Sequence, residues 1–423
     1  MVQAMNGSRS ILVVGSGISG LSAALEAAEA GFPVYLVEKE PYLGGRVARM
    51  NKYFPKLCPP NCGLEINFRR LKNNPLVRIY TMAEVEKVEG EAGGFEVGIK
   101  ISPRYVNEKC TACGLCEAAA NTEVPDPFNY GLKQVKAVHL PHEFAFPLRY
   151  VIAPDVIGTA EAQQIKAVCP YDAVDLDMEV QQISLQVAAI IWATGWRPYD
   201  AEKIEYYGFG KSRNVITNVL MERFAASNGP TAGRILRPSD GSEVKRIAFI
   251  QCAGSRDENH LPYCSGVCCL ASLKQATYLL EQNPDAQATI FFIDIRALGR
   301  FEEFFAKVQA DERVTLIKGK AGEVCEDPQT GMVTVQVEDQ ATGKILKDEF
   351  DLVVLAAGMV PNSPTTEVAG TAIGLDDSGF MLASQVNPGV IGAGCVKQPV
   401  DVATSVQDAT AAALKAIQCA CRR

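Results

Sequence analysis

The sequence predicts an α/β protein with two parallel-sheet domains and a cysteine-rich insertion. Three observations support this prediction. A strand, a glycine-rich turn, a helix and a second strand follow one another within residues 10–38. A similar alternation of strand and helix patterns begins again at 245–251. Between these segments, cysteines cluster at 110–116 and return at 169.

Size and charge limit the function before any motif is considered. The chain has 423 residues, 48% of them hydrophobic, which suffices for two or three domains with their own cores. With 49 acidic and 41 basic residues its net charge is −8, which argues against a nucleic-acid-binding protein. Apolar stretches such as Ala188–Trp192 are strand-sized, and the N-terminal MVQAMNGSRS lacks the basic region of a signal peptide. We therefore expect a cytoplasmic protein.

The first glycine-rich turn has the form of a dinucleotide-binding motif. Gly15 permits a tight turn, Gly17 lets the backbone approach a pyrophosphate, and Gly20 allows close packing of helix and strand. The helix N-terminus adds partial positive charge for the phosphates, and Glu38 follows the second strand, where it can accept ribose hydroxyls. The predicted contacts in this segment are Gly15, Gly17, Ser19, Gly20, Glu38 and Lys39.

Three further segments favour FAD over NAD as the dinucleotide. The glycine pair Gly44–Gly45 after the acid, the Ala-Thr-Gly at 193–195 and the PGVIGAG run at 388–394 resemble segments of flavoproteins with two dinucleotide-binding domains. Members of that superfamily commonly have an aspartate after the penultimate glycine, where this chain has Cys395. The predicted flavin contacts are Gly44, Gly45, Arg46, Ala193, Thr194, Gly195, Gly358 and Gly394, with Arg46 as a phosphate contact.

A second Rossmann-like domain is predicted to have lost its cofactor. The strand at 245–251 is followed by Cys252-Ala253-Gly254-Ser255 instead of a glycine turn. Ile290–Asp294 and Leu352–Ala356 are predicted as later strands of this domain. Without the phosphate-binding glycines we expect no nicotinamide cofactor here, which counts against a simple NAD(P)H oxidoreductase.

The insertion resembles one half of a bacterial ferredoxin. Disulfides are disfavoured in the cytoplasm, so 14 clustered cysteines indicate metal or redox chemistry. Cys110, Cys113 and Cys116, together with Cys169 before a proline, complete the ligand set of one cluster. The ligands of a second ferredoxin cluster are missing. We predict a single [4Fe–4S] cluster, with zinc as the alternative.

Other cysteines form two further groups. Cys252, Cys264, Cys268 and Cys269 are near enough in sequence to hold a cluster, although their pattern alone also allows buried structural thiols. The pair at 58 and 62 spans a CPPNC segment, which leaves a dithiol near the flavin, a ligand pair or a rigid turn open. The remaining cysteines are interpreted as small apolar core residues: Cys325, Cys395, Cys419 and Cys421.

Longer segments connect these motifs to a family. GGRVARMNKYFPKLCPPNC at 44–62, FIQCAGSRD at 249–257, YCSGVCCLASLKQ at 263–275 and IDIRALGRFEEFF at 293–305 resemble the A subunit of heterodisulfide reductase. More closely, they resemble the A subunit of the quinone-interacting membrane-bound oxidoreductase (Qmo) complex. The resemblance implies a thioredoxin-reductase-like FAD fold with a ferredoxin-type insertion. It also implies that the four cysteines from 252 to 269 ligate a further [4Fe–4S] cluster.

These observations together predict a domain plan. The FAD-binding domain is expected at 1–103, 177–200 and 352–423, the inserted ferredoxin-like segment at 104–176, and the degenerate second domain at 201–351. Lys274, after the cysteine pair, is expected to be a solvated helix lysine. Asp294 and Arg296 are expected to form a structural or interface pair.

The expected function is electron transfer between a flavin and iron–sulfur clusters. FAD exchanges two electrons together or singly, and clusters carry one, so the combination converts pair transfer into a relay. The resemblance implies partner iron–sulfur, flavin and haem subunits of a peripherally membrane-associated complex. It also implies a link between the quinone pool and adenylylsulfate reductase. The alternatives are a self-contained NAD(P)H-dependent disulfide reductase, one component of a soluble electron-bifurcating or sulfur-oxidising complex, or a scaffold with structural cofactors.

Overall fold

The computed structural model describes residues 9–54, 57–383 and 387–421. Residues 1–8, which begin the predicted FAD-binding domain and carry most of the N-terminal sequence discussed above, lie outside the described residues, as do residues 55 and 56 of the 44–62 motif. The strands are β1 (Ile11–Val14), β2 (Val34–Glu38), β3 (Val77–Thr81), β4 (Ala83–Glu91), β5 (Gly94–Ile101), β6 (Glu123–Pro125), β7 (Gln134–Lys136), β8 (Val138–His139), β9 (Val151–Ile152), β10 (Gln181–Val187), β11 (Ala189–Trp192), β12 (Trp196–Pro198), β13 (Val215–Thr217), β14 (Arg246–Ala253), β15 (Gln287–Phe292), β16 (Val314–Lys318), β17 (Ala321–Glu326), β18 (Val333–Asp339), β19 (Lys344–Phe350), β20 (Leu352–Ala357), β21 (Met359–Pro361) and β22 (Val390–Gly392). The α-helices are α1 (Ile18–Glu29), α2 (Gly45–Ala48), α3 (Asn61–Asn73), α4 (Leu115–Ala119), α5 (Ala160–Ala167), α6 (Asn218–Ala225), α7 (Cys268–Gln282), α8 (Phe301–Gln309) and α9 (Val402–Cys421).

The first parallel sheet has the strand order β22-β11-β1-β2-β3. Alternation along β1 explains its two covered faces. Ile11 and Val13 pack into the core shared with α1 and α9, whereas Leu12 and Val14 pack against the antiparallel sheet β10-β5-β4. A strand buried on both faces reads as a continuous apolar run, which is why Ile11–Val14 has no polar residue.

The second parallel sheet repeats this plan with the order β13-β20-β14-β15-β16. Ile247 and Phe249 of β14 pack towards the core that contains residues of α6 and α7, and Ala248 and Ile250 pack towards the antiparallel sheet β17-β18-β19. β14 therefore takes the place in this sheet that β1 takes in the first, and α7 takes the place of α1. The predicted α/β fold with two Rossmann-like units is confirmed.

One predicted domain boundary is wrong. The domain plan places the segment from 352 onward in the FAD-binding domain, whereas Leu352–Ala356 is also predicted as a strand of the second domain. The structure agrees with the strand prediction, because β20 pairs in parallel with both β13 and β14. The chain returns to the first unit only after β21, which pairs antiparallel with β12. The other predicted boundaries stay predictions.

The insertion has a small core of its own. Two-stranded sheets β6-β7 and β8-β9 and the helices α4 and α5 surround buried Val106, Val138 and Ile165. Buried Arg104 fastens the segment where it begins. Its guanidinium donates to the carbonyls of Tyr150 at 2.9 Å, Arg149 at 2.8 Å and Pro41 at 2.7 Å. Among the helices of the described residues, none combines the length and apolar character needed to cross a membrane.

Candidate functional site

The glycine turn between β1 and α1 opens onto a large cavity. Gly15 has φ +94°, and a Cβ there would lie 2.5 Å from the carbonyl oxygen of Ala193. A Cβ on Gly20 would overlap the Gly15 carbonyl group. Around Gly17, the N-cap of α1, a Cβ would meet no heavy atom within 4 Å. Packing therefore requires the first and third glycines, and the middle one faces open space at a helix N-terminus that favours phosphate.

Glu38 lies at the end of β2, beside this turn. Its buried carboxylate accepts hydrogen bonds from the Ser16 backbone N–H at 2.7 Å, the Ser16 hydroxyl at 2.6 Å and the Glu40 N–H at 2.9 Å. Burial raises the pKa of Glu38, and these hydrogen bonds oppose the rise. The carboxylate is thereby fixed at the position from which an acid can accept hydrogen bonds from ribose hydroxyls.

The cavity itself has a volume of about 810 Å³, within the range of ligand-binding pockets. Trp192 lines it, and the buried indole N–H of this residue has no hydrogen-bond partner among the described residues, which suits a donor that a ligand would satisfy. The residues present therefore fit FAD. The predicted contacts that line the cavity are Gly15, Gly17, Ser19, Glu38, Lys39, Gly45, Arg46, Ala193, Thr194 and Gly195.

Four predicted contacts lie elsewhere. Gly20, Gly44 and Gly394 are packed behind the cavity wall, and a Cβ on Gly44 would lie 3.1 Å from the Leu64 side chain. Gly358 follows β20 and packs against the loop after β14, and its predicted flavin contact stays a prediction. A Cβ there would lie 2.9 Å from the Ser265 hydroxyl. Gly358 thus allows the second sheet to approach the second cysteine group.

Arg46 forms part of the cavity wall through contacts inside the protein. Its Nε donates to the Trp196 carbonyl at 2.5 Å, its guanidinium lies over the Trp196 ring, and Nη1 reaches the Tyr130 hydroxyl at 3.2 Å. Tyr130 belongs to the insertion and also lines the cavity. Burial lowers the pKa of Arg46. The predicted phosphate contact stays a prediction, and Arg46 links three parts of the chain around the cavity.

Lys274 differs most from expectation. Its side chain is 5% exposed, so the prediction of a solvated helix lysine is wrong. Its Nζ lies 3.0 Å from Glu222 Oε1 and 2.6 Å from the Lys52 carbonyl oxygen. Gln275 and Tyr278 also donate to the Glu222 carboxylate, at 2.7 and 3.2 Å. Glu222 and Lys274 both line the cavity, so a buried ion pair faces the predicted flavin site.

Three of the four predicted ligand cysteines of the insertion lie in or against its small core. Cys116 is buried at the start of α4, Cys110 and Cys169 are partly buried, and Cys113 is exposed. Burial raises the pKa of Cys116 to about 11, and negative charge on Cys110 adds to the rise. Gly114, with φ +86°, turns the chain between the ligands. Thiols beside a glycine-containing turn suit a cluster, and the assignment of all four cysteines as its ligands stays a prediction.

The second cysteine group occupies the place of the missing phosphate-binding turn. Cys252 lies where β14 is bulged, with φ +55°, and Cys268 and Cys269 begin α7. Cys264 accepts the Gly266 N–H at 3.4 Å. Burial raises the pKa of Cys252 to about 11, and negative charge on Cys269 adds to the rise. In the first unit the corresponding position, between β1 and α1, is the glycine turn.

Neither cysteine group has the geometry of a site for a single metal ion. In the part of the chain that the structure describes, no three His, Cys, Asp or Glu side chains gather closely enough to hold one. Charges nevertheless act among Cys110, Cys113 and Cys116 in the insertion, and among all four cysteines of the second group. Both ligand sets, and the zinc alternative for the insertion, stay predictions.

The remaining cysteines divide by exposure. Tyr53 lines the cavity and is hydrogen-bonded to the Cys58 thiol, while Cys62 is exposed in the first turn of α3. Burial raises the pKa of Tyr53, and the contact with Cys58 adds to the rise. Of the four cysteines predicted to be buried, Cys395 is buried and Cys419 is partly buried. For Cys325 and Cys421 the prediction is wrong, because both are exposed.

The two parallel sheets and the cavity at the glycine turn define a protein with a thioredoxin-reductase-like fold and a dinucleotide-binding segment. Residues 10–49 match the family model described as "FAD binding domain". The chain is similar to thioredoxin reductases from T. acidophilum and Lactococcus lactis, at 16% and 14% identity, each over 97% of this chain and with a TM-score of 0.53. The match covers 98% and 99% of those chains. At such identities the likeness shows the fold alone.

Sequence relatives narrow the class to heterodisulfide-reductase-like proteins. The first of two iron-sulfur A subunits of the CoB–CoM heterodisulfide reductase of Methanopyrus kandleri is 40% identical over 96% of this chain and 63% of its own length. The A subunit of the H(2):CoB-CoM heterodisulfide,ferredoxin reductase of Methanothermobacter marburgensis is 39% identical with the same coverage. The chain thus spans less than two thirds of these relatives. It belongs to the family of heterodisulfide reductase A subunits, as the motifs predicted. The closer resemblance to Qmo stays a prediction.

Proposed function

We propose that the protein is an electron-transfer subunit in which FAD and two [4Fe–4S] clusters form a relay. One observation carries the proposal: the second cysteine group borders the cavity onto which the glycine turn opens. Val267, Leu270 and Ala271, which flank or follow the cysteine pair at the start of α7, line that cavity. A cluster held by Cys252, Cys264, Cys268 and Cys269 would therefore be a neighbour of the flavin.

In this proposal, different residues of the chain contact different parts of FAD. Gly17 and the first turn of α1 receive the pyrophosphate, and Glu38 accepts hydrogen bonds from the ribose. Trp192 would donate its unpartnered indole N–H to the ligand, and the Lys274–Glu222 pair places two fixed charges in the cavity wall. When bound, FAD supplies two-electron and one-electron chemistry.

The insertion provides the second centre. Cys110, Cys113, Cys116 and Cys169 hold its cluster, and exposed Cys113 leaves one ligand at the protein surface. Electron transfer to another subunit suits a centre near the surface. The domain plan, with the second unit extended through β20, assigns one redox centre to each of the three parts of the chain.

A further part of the proposal concerns the complex to which the protein belongs. The partners are other iron–sulfur, flavin and haem subunits that hold the protein at the cytoplasmic face of a membrane. These link the quinone pool to adenylylsulfate reductase in dissimilatory sulfur metabolism. The resemblance of the 44–62 and 249–275 motifs to Qmo supports this assignment. The alternative is a soluble electron-bifurcating or sulfur-oxidising complex. The name of one relative pairs heterodisulfide with ferredoxin, which suits a subunit that serves two electron acceptors.

Iron content tests the relay. In protein purified without oxygen, we expect about eight irons and eight acid-labile sulfides per FAD, and EPR signals after dithionite reduction. About four irons would leave one cysteine group empty. FAD-containing protein without iron would overturn the proposal and favour a dithiol flavoprotein.

A glycine substitution tests the flavin site separately. Gly17 has φ −64°, so Gly17→Ala strains no backbone, and its methyl group enters open space. We expect unchanged unfolding but FAD binding weakened at least tenfold, because the methyl group occupies the space of the pyrophosphate. FAD fluorescence during titration of the apoprotein measures this.

Gly94→Ala is the matched control, because a Cβ at Gly94 in β5 would also meet nothing within 4 Å and this residue lies outside the cavity lining. Equal FAD affinity for both variants would contradict the assigned pyrophosphate position.

A second candidate function, that of a dithiol flavoenzyme, is supported by the position of Tyr53. This residue connects the cavity to the Cys58 thiol, and Cys62 lies exposed in the first turn of α3. A reversible Cys58–Cys62 disulfide would then exchange two electrons and two protons with FAD. Loss of two free thiols on mild oxidation, absent in Cys58→Ser, would favour this dithiol enzyme if iron is lacking.

A further inference from the structure

Arg256 lies between the second cysteine group and an acidic side chain. Its guanidinium donates a hydrogen bond to the Cys252 sulfur. Its Nη1 also lies 2.5 Å from Asp294 Oδ1. The Asp294 backbone carbonyl accepts a weak hydrogen bond from the Cys269 thiol at 3.6 Å. One arginine–aspartate pair therefore contacts two members of the cysteine group.

The backbone that presents Arg256 is held in an unusual conformation. Cys252 and Arg256 have φ values of +55° and +58°, which cost a non-glycine residue free energy and persist only where the surroundings impose them. Hydrogen bonds fix the loop between them. The Arg256 N–H donates to the Tyr263 carbonyl at 3.0 Å, and the Leu261 N–H donates to the Gly254 carbonyl at 2.8 Å. The guanidinium is thus directed at the sulfur by a rigid loop.

Two further cations, Arg296 and Lys320, lie near the second cysteine group, but their side chains do not donate to a cysteine sulfur. Arg296 pairs with Asp294 at 3.5 Å, and its backbone N–H is hydrogen-bonded to Cys269. Lys320 pairs with Asp257 at 2.8 Å and acts on Cys252 only through its charge. Among these three cations, Arg256 is the one whose side chain donates directly to a ligand sulfur.

We propose that Arg256 sets the reduction potential of the cluster held by the second cysteine group and that Asp294 positions it. The inference rests on the proposed function, since it requires a cluster at these cysteines. One-electron reduction adds negative charge to the cluster and its thiolates. A cation hydrogen-bonded to a ligand sulfur stabilises that charge and favours the reduced state. The Asp294 carboxylate opposes this effect through its own charge while it holds the guanidinium in place.

The potential of each cluster gives the test. In an EPR-monitored redox titration of the whole anaerobic protein, Arg256→Gln should disfavour reduction of the second cluster at least tenfold, or about 59 mV for one electron. Arg256→Lys should restore part of the shift. Asp294→Asn, which keeps the shape but loses the negative charge, should shift the potential in the opposite direction. The insertion cluster should keep its potential in every variant.

Controls separate this inference from the proposed function. Arg234→Gln removes an exposed arginine of the same unit, paired with Glu243, and should leave both potentials unchanged. If the wild type shows no signal from the second cluster, the proposed function fails. If the signal is present and Arg256→Gln leaves its potential unchanged, the inference fails. If Arg256→Gln loses the second cluster, the potential of that cluster in Asp294→Asn becomes the test. An unchanged or lowered potential in Asp294→Asn would overturn the inference.

Discussion

Replacing Lys274 with methionine is expected to lower the free energy of unfolding by about 3–5 kcal/mol, because it leaves a buried carboxylate without its counter-charge. The side chains of Lys274 and Glu222 are 5% and 9% exposed, and their charged atoms lie 3.0 Å apart. Gln275 and Tyr278 would still donate to the carboxylate, but neither supplies a positive charge. Urea unfolding of the apoprotein and of the FAD-loaded protein measures the loss.

Substituting Glu222 as well tests whether the unpaired charge causes the loss of stability. Adding Glu222→Gln to Lys274→Met removes the unpaired charge and keeps an oxygen for Gln275, so it should recover much of the lost stability. Lys87→Met is the control, since Lys87 pairs with Glu89 at 2.6 Å on the surface and should show no measurable change. A Lys274→Met variant as stable as the wild type would show that the pair contributes nothing.

Local sequence patterns were sufficient to predict the dinucleotide-binding segment. The strand, glycine turn, helix and acid from Ile11 to Glu38 lie within one stretch of chain, and the first and third glycines are required by contacts with nearby backbone. The same reasoning predicted that the second unit would keep its fold, because alternating strand and helix patterns survive the loss of the glycines. Both predictions depended on short-range geometry alone.

The parts that sequence could not predict depend on residues distant in the chain. Lys274 is buried because Glu222, on another helix, and the Lys52 carbonyl receive its charge. Its position on α7 was a usable signal, since 11 of the helix's residues are buried and a lysine among them needs a partner. The sequence also could not show that Gly358 packs against the loop that follows β14, because that loop lies about 90 residues earlier in the chain.

The cysteines also show that sequence alone does not predict how distant parts of the chain come together. Spacing predicted which thiols belong together, and the structure describes Cys252 at a bulge of β14 and Cys268 at the start of α7, on neighbouring elements. The sequence already predicts that Cys252 stands where a glycine turn is expected, but it could not show that this group borders the cavity at the glycine turn of the first unit. That conclusion required the shared cavity wall.

Replacing Cys268 with serine is expected to remove about four of about eight irons per FAD, because a serine hydroxyl is a poor substitute for a cluster thiolate. Cys268 is buried beside Cys252 and Cys269, so the loss should be confined to the second group. Cys110→Ser should remove the other four, with the second cluster's EPR signal intact. FAD should remain in both variants, since neither cysteine lines the cavity. Iron analysis and EPR of matched anaerobic preparations measure the outcome.

Cys325→Ser provides the control for cysteine loss, because Cys325 is exposed on β17 and lies outside both groups. It should keep all iron. If Cys268→Ser also keeps all iron, the second group holds no cluster, and the cavity would serve a flavin whose one-electron partner lies in the insertion alone. If either variant loses every cluster and its FAD together, the three centres depend on one another for folding. In that case each ligand set must be assigned by the spectra of the surviving cluster in milder variants such as Cys264→Ser.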